Sequence, residues 1–377
     1  MKKLSFNILI LILVFGYGCT PEPLEIELEN QFGALPKIPF SPQENPTTPE
    51  KIELGEALFW DPILSGEKDV ACVTCHHPKN GYTENLDLSI GVGGQGLSTQ
   101  RNGGTLVKRN SITLLNSAFN GIDEEKFYDP NNAVMFWDNR EKSLELQAIQ
   151  PMLSAEEMRG NTYAEADALD SIVLRLEKIP AYVTLFESAF GNPTITPVKI
   201  GNAIAAFERT LVATNSRFDQ YVRGDEDALT ILEKRGMIAF NEVGCSNCHS
   251  GPMFSDFQLH ILSVPENDKL TTPDDGDGTF AFRTASLRNL KFTAPYMHNG
   301  IFESLEDVLE FYDDVDGESQ NPNISSDQLD QKLKDLNFAD DKTDAIIAFI
   351  KTLNDDSFPK EELEQVPSGL PVGGNIE

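Results

Sequence analysis

Cys72-Val73-Thr74-Cys75-His76 and Cys245-Ser246-Asn247-Cys248-His249 are two copies of one pattern, Cys-x-x-Cys-His. This pattern is the attachment signature of c-type haem. Cysteines three residues apart lie on one face of a helical turn, where both thiols can bond to the vinyl groups of one porphyrin. The histidine that follows then places an imidazole nitrogen under the iron. The sequence therefore predicts two covalently bound haems, with His76 and His249 as iron ligands.

Two other kinds of site, a zinc site and a redox-active cysteine pair, fit these stretches less well. A zinc site would need Cys and His at different offsets, and a thioredoxin-like redox pair would need a βαβ setting without an obligatory histidine. Two complete copies in a chain that carries an export signal favour haem.

The N-terminus has the features of such a signal. Residues 1–18 contain two lysines, an apolar run from Leu4 to Phe15 and small residues before Cys19, which is typical of a cleaved leader. Cleavage before Cys19 would give a lipoprotein anchored to a membrane through that thiol; the alternative is an ordinary secretory signal cut nearby. Both predict an exported protein, placed in the periplasm. Residues 19–48, rich in Pro and Glu, are predicted to be an extended tether.

Composition limits the classes of function. The 377 residues are 40% hydrophobic and carry a formal net charge of −30, which indicates a soluble globular chain of about two domains. Such acidity disfavours nucleic acid and favours cationic partners. Five cysteines divide into one anchor and two haem-binding pairs, so no disulfide is predicted.

Apolar periodicity predicts a mostly helical fold. Helices are expected over 49–61, after Thr196-Pro197 with Ile200, Ile204, Phe207 and Leu211 on one face, over 223–237 and over 344–353. Because the two motifs lie 173 residues apart, we expect two cytochrome c-like helical domains, each with one haem, joined by long loops. The predicted boundaries are 49–215 for the N-terminal domain, 216–355 for the C-terminal domain and 356–377 for an aperiodic tail.

Two segments imitate other binding motifs. Residues 91–96 satisfy Gly-x-Gly-x-x-Gly, but no helix start follows to receive a pyrophosphate, so a flexible loop is predicted. Residues 274–277 resemble a calcium loop only in composition. Together with the polar segment 263–278, they are predicted to be solvated surface.

Several stretches, which follow one another along the chain in the same order, resemble the bacterial di-haem cytochrome c peroxidase family. This family includes the MauG-type enzymes. These stretches lie within residues 48–355, and they are Glu53–Pro62, Arg109–Asn116, Phe136–Arg140 with Ser143–Gln147, Ala206–Leu211, Ser286–Leu290 and Thr293–Gly300.

The resemblance implies that the N-terminal haem is the peroxide site and that the C-terminal haem relays electrons. Carried over position by position, the family's pocket acid/base falls on Glu157, its pocket glutamine on Gln147 and the tryptophan between the haems on Trp137. A carboxylate in an apolar pocket, with its pKa raised toward neutrality, suits proton transfer between the two oxygens of peroxide. Without the resemblance, Glu157 would be read as a solvated neighbour of Glu156, and Trp137 as core.

The histidine supply bears on the resting state. In many family members a histidine on a loop after the first motif caps the peroxide site, but this chain has none between His77 and the second motif's His249. We therefore expect an open first haem at rest. His77 is expected to be a surface neighbour, and His298 to have a structural hydrogen-bonding role.

The second haem departs from the ordinary peroxidase pattern. The position where most of them have a ligating methionine is Tyr312, as in MauG-type enzymes, and Met297 is the alternative ligand. A family calcium site between the domains would fall on Asn110, Thr293 and Pro295, whose oxygen donors suit that ion.

Three functions follow. The first is reduction of hydrogen peroxide with electrons from a small cytochrome c or blue copper protein. The second is a MauG-type oxidase acting on residues of a partner protein, which Tyr312 favours. The third is a non-enzymatic electron carrier. No nucleic acid is expected as a partner, membrane contact is expected only through the lipid anchor, and a homodimer is a further possibility.

Overall fold

A computed structural model describes residues 23–315, 317–338 and 342–377. Its helices are α1 (Pro23–Phe32), α2 (Pro49–Trp60), α3 (Cys72–Cys75), α4 (Leu144–Gln147), α5 (Glu165–Leu176), α6 (Pro180–Phe190), α7 (Pro197–Glu208), α8 (Arg217–Val222), α9 (Ile231–Val243), α10 (Leu305–Asp314), α11 (Gln331–Lys334) and α12 (Thr343–Lys351). Two antiparallel strand pairs accompany them, β1 (Gly94–Gln95) with β2 (Asn102–Gly103) and β3 (Leu259–His260) with β4 (Phe282–Arg283). The mostly helical class is confirmed.

The helix predicted after Thr196 is confirmed in detail. The Thr196 hydroxyl accepts a hydrogen bond from Lys199 N at 3.2 Å, and Pro197 occupies the first turn, where its missing N–H costs nothing. Ile200, Ile204 and Leu211 are fully buried. This side of α7 contacts α2, which itself begins at a threonine cap and a proline.

The same helix crossing is found beside each haem motif, between the helix that precedes the motif and a helix that follows it. In the first core, Gly55 of α2 lies directly against the carbonyl of Ala203 in α7; in the second, Gly236 of α9 lies against that of Ala345 in α12. Neither crossing leaves space for a Cβ atom, so glycine is required for the helices to approach this closely. The two halves of the chain thus use one packing arrangement, each next to a Cys-x-x-Cys-His segment.

The N-terminal segment does not form an extended tether. Helix α1 packs on α9, and Phe32 at its end is fully buried among aromatic rings of the second core, including Phe218, Phe254 and Phe349. Burial of this large apolar side chain outweighs the weak local helix signal. Cys19 and the leader lie outside the described residues. The described part of the chain contains no helix long and apolar enough to cross a membrane.

The C-terminal tail has no helix, as expected, but it packs closely on the opposite half of the molecule. Gly374 forms a bridge with Val70, and the Thr74 hydroxyl donates to Gly373 O at 2.9 Å. Leu370 packs on the first core. Each end of the described chain therefore packs on the opposite half of the molecule. Helix α1 joins the core around α9 and α12, and the last residues pack against the region around the first motif. The domain boundaries stay a prediction.

Smaller corrections concern the loops. Residues 223–230 are not helical, since α8 ends at Val222 and α9 starts at Ile231. The glycine-rich segment 91–96 is held in place, because the buried Arg101 side chain donates to the carbonyls of Ile90, Gly91 and Gly96. The predicted solvated surface at 274–277 is wrong for Asp274, which is only 4% exposed.

Candidate active site

One continuous cavity of about 930 Å³ is bordered by both Cys-x-x-Cys-His segments. The other residues predicted for the site also border it, namely Trp137, Gln147, Glu157, Asn110, Thr293, Pro295, Met297 and Tyr312. Its size lies at the upper end of the range for ligand sites. The structure therefore brings together residues that are spread over more than 200 positions of sequence.

At the first motif, α3 places Cys72 and Cys75 on one side of a single turn, and both are free thiols. The Nδ1 atom of His76 lies 3.1 Å from the carbonyl of Tyr82, which accepts its proton and leaves Nε2 as the free ligand atom. Burial lowers the pKa of His76 to about 4. The imidazole is therefore neutral at pH 7, as a metal ligand must be.

The second motif repeats this arrangement. His249 Nδ1 lies 2.9 Å from the carbonyl of Phe254, and burial lowers the pKa of His249. Cys245 and Cys248 are free thiols. Each motif thus supplies two thiols, a neutral imidazole with an available Nε2 atom and a large cavity, so the residues fit one c-type haem at each motif.

Glu157 and its neighbour Glu156 differ in their surroundings. Glu156 is exposed, whereas Glu157 is partly buried against the cavity. Burial raises the pKa of Glu157 and the charge of Glu156 adds to this, while Arg140 and Arg109 oppose it. A carboxyl group of raised pKa is better suited to proton transfer than an ordinary surface carboxylate. Gln147, the last residue of α4, borders the same cavity.

Trp137 has contacts toward both motifs. Its indole N–H donates to Asn110 O at 3.0 Å, and Asn110 precedes Ser111, whose hydroxyl donates to Cys75 O at 2.7 Å. Its own carbonyl accepts from Arg283 N at 2.7 Å. Arg283 is the last residue of β4. Two residues further along the chain, the backbone of Ala285 contacts His249.

Tyr312 and Met297 both border the cavity at the second motif and share one hydrophobic cluster. Burial raises the pKa of Tyr312, and the thiols of Cys245 and Cys248 raise it further, which shows that the phenol lies close to the haem-attachment atoms. The choice between these two side chains as iron ligand remains a prediction.

The other histidines occupy defined positions. His77 is not a surface residue: it is 1% exposed, and its Nδ1 atom accepts from Lys79 N at 3.2 Å. The ring of His298 stacks on Phe282 with 3.6 Å between centroids, and its carbonyl accepts from Asn110 N at 2.8 Å.

His260 belongs to an ion-paired cluster beside the second motif. Its Nδ1 lies 2.6 Å from Asp330 Oδ2, and its Nε2 lies 3.0 Å from Asp256 Oδ2. Asp256 also accepts from Lys332 Nζ at 2.9 Å. Asp256, the Cys248 thiol and Asp330 raise the pKa of His260 to about 10.

Buried carboxyl groups near the first motif have few partners. The pKa of Glu84, beside Cys75, is raised to about 7, and that of Glu208, beside Cys72, to about 8; burial is the main cause in both cases. The second motif instead has carboxylates held by cations, and the pKa values of Asp256 and Asp330 are lowered. The first site is therefore surrounded by acids that can hold protons, and the second by fixed charges.

Sequence reasoning missed several of these groups. Glu208 follows Ile204 by four residues, which places it on the buried face of α7 and could have identified it. The ion pair of Arg109 with Asp274, in which Nη2 and Oδ1 lie 3.0 Å apart, has no local signal because 165 residues separate the partners. Asn110 donates to the carbonyls of Leu86 at 2.7 Å and Pro295 at 3.3 Å, so two of the predicted calcium positions are in contact.

Comparisons with known proteins agree with this site. The sequence profile of the di-haem cytochrome c peroxidase family matches residues 49–227. The cytochrome-c peroxidase IdrP1 of Pseudomonas sp. (strain SCT) is 33% identical over 391 residues, covering 94% of this chain and 93% of that protein. The methylamine utilization protein MauG of Methylorubrum extorquens is 34% identical, covering 83% and 80%.

Solved structures show the same fold. A MauG-like protein associated with microbial copper homeostasis superposes with a TM-score of 0.67 at 26% identity, covering 86% of this chain and 95% of that one. The di-haem peroxidase BthA from Burkholderia thailandensis gives a TM-score of 0.62 at 21% identity, covering 90% and 98%. With two haem-attachment motifs on one cavity and these relatives across most of its length, the chain belongs to the di-haem cytochrome c peroxidase family.

Proposed function

We propose that this protein is an exported oxidoreductase that reduces hydrogen peroxide to water with electrons from a small redox protein. The observation that carries the proposal is Glu157: a partly buried carboxyl of raised pKa on a cavity shared with both haem motifs. Bound at the two motifs, the haem irons would supply the redox chemistry that no side chain provides.

The residues around the first haem then have distinct tasks. Glu157 accepts the proton from one oxygen of the peroxide and returns it to the other, which is general acid/base catalysis by one carboxyl group. Gln147 borders the same space with an amide that can donate to or accept from peroxide. His76 holds the haem, and its Nδ1 contact with Tyr82 O fixes the ring orientation.

Cys245, Cys248 and His249 would hold the second haem, which would accept electrons from the donor, and Trp137 would lie on the route to the first haem. The contacts of Trp137 with Asn110 and Arg283, one toward each motif, support this route. The fixed ion pairs around His260 suit a site that exchanges electrons without protons. A net charge of −30 favours a cationic donor, either a small cytochrome c or a blue copper protein.

A second candidate function is a MauG-type oxidase that withdraws electrons from residues of a partner protein. The observation that favours it is the buried phenol of Tyr312 beside Cys245 and Cys248. A tyrosinate ligand donates more charge than a thioether and would lower the potential of the second haem. The electron-carrier reading is less favoured, because a pure carrier has no need of an acid of raised pKa.

The remaining assignments are part of the same proposal. One calcium ion would bind between the halves at Asn110, Thr293 and Pro295, supported by the position of all three residues on one cavity. Two haem domains are proposed with the boundaries given above, supported by the repeated glycine crossings. The proposal also includes a lipid anchor at Cys19, a periplasmic location and a homodimer.

Steady-state peroxide turnover by the haem-loaded protein, with a reduced small cytochrome as donor, tests the function. Glu157→Gln should lower turnover by about 10²–10⁴-fold, the range for loss of a general acid/base, and Glu156→Gln is the matched control that should keep it. Equal turnover in wild type and Glu157→Gln contradicts the role of Glu157. A long-lived oxidised state formed with peroxide, with negligible cytochrome oxidation, would instead support the MauG-type function.

A further inference from the structure

Glu208, the last residue of α7, is a buried carboxyl group in the cavity wall that the proposed chemistry leaves without a task. It is 3% exposed, it borders the cavity, and its charge acts on the thiol of Cys72. Its Oε2 atom has no hydrogen-bond partner within the described part of the chain. A buried polar atom of this kind is uncommon and calls for an explanation.

The charged groups around Glu208 do not neutralise it. Arg209 is the nearest cation, but its Nη1 lies 2.7 Å from Glu145 Oε1, and Glu145 also accepts from Asn45 Nδ2 at 2.8 Å. Lys51 of α2 donates to Asn45 Oδ1 at 2.8 Å and to Pro46 O at 3.2 Å. Burial and the repulsion from Glu145 therefore outweigh Arg209 and raise the pKa of Glu208 to about 8.

Glu208 is not alone among the described cavity-lining residues in having a buried oxygen without a partner. The Oγ atom of Ser117 is also buried without a described partner, and Ser117 borders the same cavity. Its segment is joined to the end of α7 by the hydrogen bond from Asn116 N to Leu211 O at 2.9 Å. A cavity wall with two such oxygens can hold water, which needs several polar partners.

We propose that Glu208 takes up one proton when one electron arrives at the first haem and releases it when that electron leaves. The electron comes from the second haem and the proton from solvent through the cavity. The proton forms an O–H bond on the carboxylate, so the net charge of the site is unchanged. The physical reason is that added negative charge nearby favours the protonated form of a carboxyl group.

This inference rests on the proposed function and deepens it. Reduction of one peroxide to two waters consumes two electrons and two protons. Glu157 moves a proton between the two oxygens of the substrate but imports none. Glu208 would hold an imported proton next to the haem, ready for the reaction.

The test is the pH dependence of the midpoint potential of the first haem in the haem-loaded protein. In wild type the potential should fall by up to ~59 mV per pH unit above about pH 8, where Glu208 is ionised before the electron arrives, which corresponds to one proton per electron. In Glu208→Gln this slope should be lost over the same range, whereas Glu208→Asp should retain a slope. Glu156→Gln is a control carboxyl that should leave it unchanged.

A slope that is the same in wild type and Glu208→Gln overturns the inference. If Glu208→Gln does not load haem, infrared difference spectra of wild type and Glu208→Asp decide the matter. Reduction above about pH 8 should produce the C=O band of a protonated carboxylic acid, shifted in Glu208→Asp, and the absence of such a band also overturns the inference. The midpoint potentials are measured without peroxide. They therefore test proton uptake by Glu208 separately from the peroxidase function, which is tested by turnover.

Discussion

The hydroxyl of Thr74, inside the first Cys-x-x-Cys-His segment, donates a hydrogen bond to the carbonyl of Gly373 at 2.9 Å. The same hydroxyl accepts from Ala71 N at 2.9 Å and thereby caps the turn that carries both cysteines. Gly373 N donates in turn to Trp60 O at 2.9 Å. The last residues of the chain are therefore part of the wall that holds the first haem-binding turn.

We expect Thr74→Val to lower the free energy of unfolding by about 1 kcal/mol, because it removes a buried hydroxyl that makes two hydrogen bonds without changing the shape of the side chain. Chemical denaturation of the haem-loaded protein measures this. Thr184→Val, which removes an exposed hydroxyl bonded to its own helix, is the matched control. Equal loss in both variants would contradict a specific role for the contact with Gly373.

The first haem should be open in the oxidised resting protein. The chain has no histidine between His77 and His249, and His77 is buried with its Nδ1 atom capping a turn. His260 is held between Asp256 and Asp330. We therefore expect a high-spin ferric signal in the EPR spectrum without prior reduction; a spectrum with only low-spin signals would show that another side chain caps the iron.

Tyr312 should be the ligand that sets the potential of the second haem. In Tyr312→Met, a thioether in place of the phenolate should raise that potential by on the order of 0.1 V, within the ~0.8 V range that axial ligands span. Near-infrared thioether-to-iron absorption should appear with it. Met297→Leu, the control, should change neither quantity, whereas loss of an existing near-infrared band in Met297→Leu would identify Met297 as the ligand.

Stability should fall as the pH rises through the titration of His260. Its pKa in the folded protein is raised to about 10, above the value of about 6.5 for an unfolded chain. Its contribution to the free energy of unfolding is therefore complete below about pH 6.5 and is lost as the pH approaches the folded value. Haem attachment removes the Cys248 thiol but leaves both carboxylates.

Denaturation curves across this pH range test the prediction, with Asp330→Asn as the comparison. That variant removes the carboxylate 2.6 Å from Nδ1, so its stability should depend less on pH between about 6.5 and 10. Identical pH dependence in the two proteins would show that Asp330 does not stabilise the charged imidazole.

Local patterns were sufficient for helix α7 and for the haem motifs. The threonine cap and the apolar spacing predicted α7 because both act within a few residues of sequence. Helix α1 was missed because its stability comes from Phe32 packing among the aromatic rings of the second core. The helix propensity of such a segment is a weak signal, and burial in the tertiary structure determines whether the segment is helical.

The sequence by itself determined that this protein holds two c-type haems, since the thioether chemistry needs only two cysteines and a histidine at fixed spacing. Through resemblance to a family, it also predicted roles for Glu157, Trp137 and Tyr312. Tertiary structure alone decided that Asp274 is an ion-pair partner of Arg109 and that Glu208 is a buried acid beside Cys72. The reason is physical: the state of a charged group depends on its burial and on charges that are distant in the sequence, and only folding brings these together.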